Sequence, residues 1–263
     1  MPAPSDCFID VVIPIVEKDL DILPLSLKGI RKNVANRIRN IYIVAPAKQA
    51  IIDFARDNGC IFADETNIFG YGAKSLGIKT ESGADRSGWL FQQLLKLSGA
   101  IGTEEWFITM DADHILLRPH TFVDSRKRHV FYQSAQCHKP YYTALKKLLG
   151  DRKLDPLSFV AHKMAFNKSD LKRLRQAIEE HSPKKGSWDR IIAESLDLSS
   201  DSPFSEFETY GNFIDRERKI CLPWNSAPCH HWKEIPDFED LERRYARLYR
   251  SITFPEHKRL PAG

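Results

Sequence analysis

The stretch 106–119, WFITMDADHILLRP, sets Asp111, Asp113 and His114 directly after a five-residue apolar run. That run bulks up and alternates like a half-buried strand, so the carboxylates fall at its end. Two aspartates spaced i, i+2 in a turn can share one hard cation and leave it open to phosphate oxygens. A divalent ion held so neutralises the charge that develops on a departing diphosphate. The ordinary alternative is a turn in which aspartates bond their own backbone, and His114 reads equally as a ligand or as a wall of that turn.

The elements that must position this turn alternate. CFIDVVIPI, NIYIVAP and CIFA read as strands; LDILPLSLKGIRKNV and AKQAIIDFARDNG read as helices between them. Such βαβαβ order implies a mostly parallel sheet flanked by helices, with its strand ends gathered at the edge where open α/β sheets bind ligands. Pro14 and Glu17 reach that edge from the first strand, and Asp64 and Glu65 from the third. SGWLFQQLLKL forms a helix whose Leu90, Phe91, Leu94, Leu95 and Leu97 make a wide apolar stripe. Trp89, Gln93 and Lys96 share another face, either a surface stripe or a binding wall. Between them lies a glycine-rich segment, 64–89, without periodicity. Its GYGAKS departs from a phosphate loop at Ala73, where glycine is required. Lys74, Lys79 and Arg86 there read as solvated charge or as a closure over a diphosphate.

Later, RHVFYQS, SFVAHKMAF and KICLPWN read as strands, and PYYTALKKLLG, SDLKRLRQAIEEH and SWDRIIAESLD as helices. DFEDLERRYARLYRSITF reads as a charged helix with Leu241, Tyr245 and Leu248 on one side. The expected organisation is a domain over residues 1–235 and a basic C-terminal helix and tail over 236–263.

The 263 residues, 42% hydrophobic and 28% charged, suffice for a packed core and exclude disorder as the default. A net charge of +4 admits an anionic partner and falls far short of a nucleic-acid binder. Five cysteines without a CxxC pair indicate neither a disulfide framework nor a thiolate metal site. A cytoplasmic protein is expected.

With a glycine-rich loop, an amphipathic helix, a strand and the DAD turn in this order, late in a βαβαβ half, the chain resembles the nucleotide-sugar-dependent glycosyltransferases of the GT-A fold, from IDVVIPI through ITMDADH to HHW. The resemblance implies that Asp111 and Asp113 hold Mn²⁺ or Mg²⁺, with Asp113 chiefly on the ion and Asp111 also on the ribose. Pro14, Glu17, Trp89, Gln93, Lys96 and Asp111 are then the contacts to a UDP- or GDP-sugar. A C-terminal histidine completes the metal site in that family, and PCHHW offers His230 and His231. Inverting members need a general base on a helix after the DAD strand, for which FSEFETYGNF supplies Glu206 and Glu208. Ser205 and Glu208 form an S-x-x-E capping box, which explains Glu208 as helix-start chemistry and leaves Glu206 as the favoured base. His162 and Lys163 read as two polar groups on a strand edge or, in a GT-A-like arrangement, as lining of the acceptor side, and Trp188 and Trp224 as packing residues or as sugar-stacking rings.

The implied activity is metal-dependent sugar transfer to a glycan or lipid-linked acceptor, of the kind used in bacterial surface polysaccharide or lipopolysaccharide synthesis, with inversion favoured. A sugar-phosphate nucleotidyltransferase would carry a glycine-rich basic signature near the start, which VVIPIVEKDLDILP lacks. A non-enzymatic anion-binding module would work through the arginines of the C-terminal helix. That helix could also meet the inner face of a membrane peripherally, against the alternative that it packs on the catalytic domain.

Overall fold

The apolar run after Cys7 becomes β1 (Phe8–Pro14), buried along nearly its whole length as an interior parallel strand must be. The computed structural model describes residues 1–151, 154–227 and 237–254. From β1 the chain passes through α1 (Leu23–Asn33), with Pro24 in its first turn, to β2 (Arg37–Ala45). It continues through α2 (Gln49–Asp57) to β3 (Ile61–Asp64), then a short α3 (Thr66–Phe69) and α4 (Ser87–Ser98). Gly99, left-handed at φ 62°, stops α4. β4 (Trp106–Met110) and β5 (His114–Leu116) flank the DAD turn. There follow β6 (His129–Gln133), α5 (Lys139–Leu149), β7 (Lys163–Asn167), α6 (Lys168–His181) and α7 (Trp188–Ser195). The last elements are α8 (Glu206–Phe213), β8 (Lys219–Pro223), β9 (Ser226–Ala227), α9 (Phe238–Tyr245) and β10 (Ser251–Thr253).

The central sheet runs β3-β2-β1-β4-β7, with the first four strands parallel and β7 antiparallel to β4. Successive side chains point to opposite faces, so Val12, Val44 and Phe107 join a core under α4 and α5–α8, whereas Val11, Ile43 and Ile108 join one under α1 and α2. This is the expected helix-flanked, mostly parallel α/β sheet. Two small sheets stand beside it, β6 with β8, and β5-β10-β9.

The C-terminal segment departs from the sequence pattern. The helix ends at Tyr245, and Ser251–Thr253 is a strand that pairs antiparallel with β5 and parallel with β9. Ile252 is fully buried there, and a helix continued to Phe254 would leave the β5 edge unpaired. Phe238 and Leu241 pack on Ile115, Leu117 and Ile252, while Leu248 stays 68% exposed. Two of the helix arginines, Arg243 and Arg244, bond Asp240, and Lys28 and Lys32 of α1 pair with Glu239 and Glu242.

SFVAHKMAF also contributes less strand than its pattern suggests. β7 begins only at Lys163, because pairing with β4 runs out at Met110↔Lys163 and His162 takes a left-handed φ of 59°. No helix among the described residues is long and apolar enough to cross a membrane.

Candidate functional site

The antiparallel register of β4 and β7 places residue 162 opposite the first residue of the DAD turn. Asp111 accordingly donates its N–H to the His162 carbonyl at 3.0 Å, and His114 donates to the Asp111 carbonyl at 3.0 Å. From the other side Phe254, just beyond β10, donates its N–H to the Asp113 carbonyl at 3.0 Å. Three backbone bonds thus fix where the two carboxylates stand. They open into a cavity of about 310 Å³ at the ends of β1 and β4, walled by α4, α5 and α8.

Lys96 spans this cavity. Its ammonium donates to Asp111 Oδ1 and to Glu206 Oε1, both at 2.7 Å, and only 6% of the residue is exposed. Burial works against the charge on Lys96, but the two carboxylates outweigh it and hold its pKa above the usual lysine range. Burial likewise works to raise Asp111; Lys96 and the His162 imidazole outweigh it and hold this carboxyl well below the usual range. His162 Nδ1 lies 2.9 Å from Asp111 Oδ2. Ligand atoms of Asp111, Asp113 and His162 all fall within 4.8 Å of one another, which makes this trio a candidate divalent-cation site. Two carboxylates and one imidazole are a donor set suited to Mn²⁺, and they leave further positions open to phosphate oxygens.

The structure brings His162 beside Asp111 and Asp113, a neighbourhood the sequence reading does not assign to it. Fifty-one residues separate it from Asp111, so no local spacing in the sequence announces it. His114, the competing ligand, is fully buried and turned away: Nδ1 lies 2.7 Å from Thr253 Oγ1, and Nε2 accepts from Lys163 Nζ at 2.9 Å. Burial, with Lys163 beside it, pushes the His114 pKa far down, and burial followed by Arg250 lowers Lys163 to about 7. Lys163 therefore stands behind the DAD turn and not at an acceptor face. His230 and His231 lie outside the described residues.

On α8 the Ser205 hydroxyl accepts the Glu208 N–H at 3.2 Å, the cap anticipated from the sequence. Glu208 then sends its carboxylate to Tyr142 and Asn212, each at 3.2 Å, and burial raises its pKa. Glu206 lines the cavity, whereas Glu208 is not among the lining residues. Gln93 accepts the Glu206 N–H at 3.1 Å, so α4 sets both ends of that residue.

Pro14, Trp89, Gln93, Lys96 and Asp111 all line the cavity. Glu17 does not: it sits at the surface, paired with Lys48 at 2.6 Å, and Asp19, two residues on, takes the cavity-facing place. A 3₁₀ turn over Glu17–Asp21 makes that swap, since it replaces the extended path that would have aimed Glu17 inward. Gln93 is 5% exposed, so the polar face of α4 is a cavity wall and not a surface stripe. Sequence patterning missed Tyr141 and Phe204, which also line the site. Trp188 instead packs against Phe69 at 5.8 Å, and Trp224 lies 5.8 Å from the His162 ring. The glycine-rich segment is tied down, with Tyr71 bonded to Asp189, Glu81 N–H on the Leu198 carbonyl at 2.9 Å and Ser82 on Asp201 at 2.7 Å.

Over 97% of its length this chain superposes on mouse xyloside xylosyltransferase 1 in its apo form, all of which is covered, with a TM-score of 0.51 and 14% identity. An active-site mutant of LgtC aligns over 94% of this chain and 87% of its own, at a TM-score of 0.48 and 10% identity. At such identity the likeness speaks for the fold, which is GT-A-like. No curated protein matches the sequence. A family model spanning residues 8–240, from β1 into α9, does match, and the chain belongs to that family, DUF6492, a family of unknown function.

Proposed function

We propose that the protein is a metal-dependent glycosyltransferase that moves a sugar from a nucleotide-sugar donor to a glycan or lipid-linked acceptor. The observation that carries this reading is the convergence of Asp111, Asp113 and His162 within 4.8 Å at a sheet edge, with Lys96 and Glu206 in the same cavity. Asp111, Asp113 and His162 would hold Mn²⁺ or Mg²⁺, which when bound neutralises charge on the departing diphosphate. Pro14, Trp89 and Gln93 are the proposed walls around a UDP- or GDP-sugar. Glu206 takes the proton of the acceptor hydroxyl as its oxygen attacks the anomeric carbon and the nucleoside diphosphate leaves, with inversion. Lys96 anchors that carboxylate and Asp111 at one fixed separation, so base and donor site move together. The test is a screen of nucleotide sugars for hydrolysis or transfer with Mn²⁺ and with chelator. Metal-dependent release of UDP or GDP supports the reading; no turnover of any donor, with no metal-dependent nucleotide binding, removes it.

A further inference from the structure

Charge on α9 is balanced inside the fold, whereas charge on the turn that follows it is not. Arg243 and Arg244 bond Asp240, and Glu239 and Glu242 pair with Lys28 and Lys32. The turn over residues 246–250 then carries Arg247 and Leu248 outward, both exposed, Leu248 by 68%. Leu248 and Tyr249 both donate their N–H to the Tyr245 carbonyl, at 3.1 and 2.8 Å, and the two tyrosines rest on the core beneath α9 and β10, so the turn is fixed. A further cation comes from another part of the chain. The Arg250 carbonyl accepts the N–H of Leu117 at 2.8 Å and that of Arg118 at 3.1 Å, and the Arg250 guanidinium bonds the Pro119 carbonyl. The exposed Arg118 is thereby stapled beside the turn. Burial, and after it the Arg118 charge, lower the Arg250 pKa. Among the described residues Arg118, Arg247 and Arg250 form no ion pair.

Guanidiniums without a counter-ion around an outward leucine supply both terms of adsorption to an anionic bilayer. Each cation at such a surface contributes about 1 kcal/mol, and a leucine that leaves water contributes a similar amount. A second copy docked face to face would set these guanidiniums against their own equivalents, which like-charge repulsion opposes. A polynucleotide would meet the arginines and leave the leucine in water. We infer that the face formed by Arg118, Arg247, Leu248 and Arg250 docks on an anionic lipid surface. The helix itself contributes little, since its arginines are already paired. From Leu248 the chain runs through β10 to Phe254, whose N–H meets the Asp113 carbonyl, so docking there holds the acidic turn within about 20 Å of the lipid headgroups.

Flotation of the full chain with vesicles of phosphatidylcholine alone, or with about one-third phosphatidylglycerol, tests this without metal or nucleotide. The expected result is recruitment to the anionic vesicles alone, released as salt rises from about 0.1 M to about 0.5 M. Arg118→Gln combined with Arg247→Gln should weaken it roughly 10- to 30-fold, and Leu248→Ser about 3- to 10-fold, with melting temperature unchanged. Leu154→Ser, at a leucine 40% exposed elsewhere on the surface, should bind as the unaltered chain does. Equal binding to neutral vesicles, binding to neither, binding untouched by the three substitutions, or an equal loss in Leu154→Ser overturns the inference. So does tighter binding of poly-glutamate than of vesicles, which gives the face to an acidic protein. A dimer in sedimentation that Leu248→Ser dissolves gives it to a second copy and likewise overturns it. A chain that meets lipid but turns over no nucleotide sugar counts against the transferase reading alone, and one that transfers sugar without meeting lipid counts against this inference alone.

Discussion

Lys96 and Glu206 form an ion pair at 2.7 Å although 110 residues separate them in the chain. Both are almost fully buried, and Lys96 reaches Asp111 with the same nitrogen. Breaking such a buried pair from one side leaves an uncompensated charge, which costs about 3–5 kcal/mol. Lys96→Met should therefore lower thermal stability and Mn²⁺-dependent nucleotide binding together. A melting curve and a calorimetric titration read the two effects, and a variant that loses neither would detach Lys96 from the site.

Glu206→Gln keeps the shape of the side chain and removes its capacity to take a proton. Transfer should fall roughly 10²–10⁴-fold with nucleotide binding nearly preserved. Glu208→Gln should keep most activity, because an amide can still meet Tyr142 and Asn212. The reverse ranking of turnover numbers would hand the base role to Glu208.

Asp113→Ala should abolish metal-dependent binding of UDP or GDP and leave the fold intact. His162→Ala should weaken it by at least about 10-fold, as loss of a group that ligates or orients a metal does. Calorimetry with Mn²⁺ and with chelator separates these from non-specific loss. Should replacing His230 and His231 together cost more than replacing His162, the third ligand is to be sought in PCHHW.

Gly211 faces the Phe159 ring so closely that a Cβ there would lie 2.3 Å from a ring carbon. Gly211→Ala should destabilise by about 1–3 kcal/mol through overpacking, and Phe159→Leu should recover part of that loss. Chemical denaturation of the single and double variants measures both. Additive losses would show that the two residues do not meet.

Burial, with Asp64 beside it, raises the Glu65 carboxyl to about 7. The unfolded chain ionises near pH 4.3, so between that value and about 7 the folded state holds the extra proton. This contribution is fully present below about pH 4 and is lost as pH rises through about 7. Glu65→Gln should flatten the fall in stability across that window and gain most over the unaltered protein near pH 8. An unchanged profile of melting temperature against pH would mean that water reaches this carboxyl.

The parallel half of the fold, α4 and the DAD turn are legible in the sequence because each depends on local pattern: buried apolar runs, a leucine stripe and a polar turn after a strand. Lys96 is visible as one residue of a polar face, but its two partners are set by how α4 meets β4 and α8. The place of His162 beside Asp111 is not legible because it comes from the register of an antiparallel pair, which the sequence of SFVAHKMAF does not state. Glu17 yields to Asp19 through one 3₁₀ turn, a shift of two residues that pattern cannot resolve. The C-terminal helix is overextended because the arginine and leucine periodicity runs past Tyr245, while the demand for a strand at Ser251–Thr253 comes from the open edge of β5.

β10 gives that last point a temporal side. His114 and Thr253 are 139 residues apart, and the Asp113 carbonyl waits for the N–H of Phe254. A ribosome makes the acidic turn early and its brace late. A nascent chain can assemble the parallel strands while the acidic turn is still unbraced, so the arrangement of Asp111, Asp113 and His162 proposed to take a divalent cation should be complete only after β10 has cleared the exit tunnel.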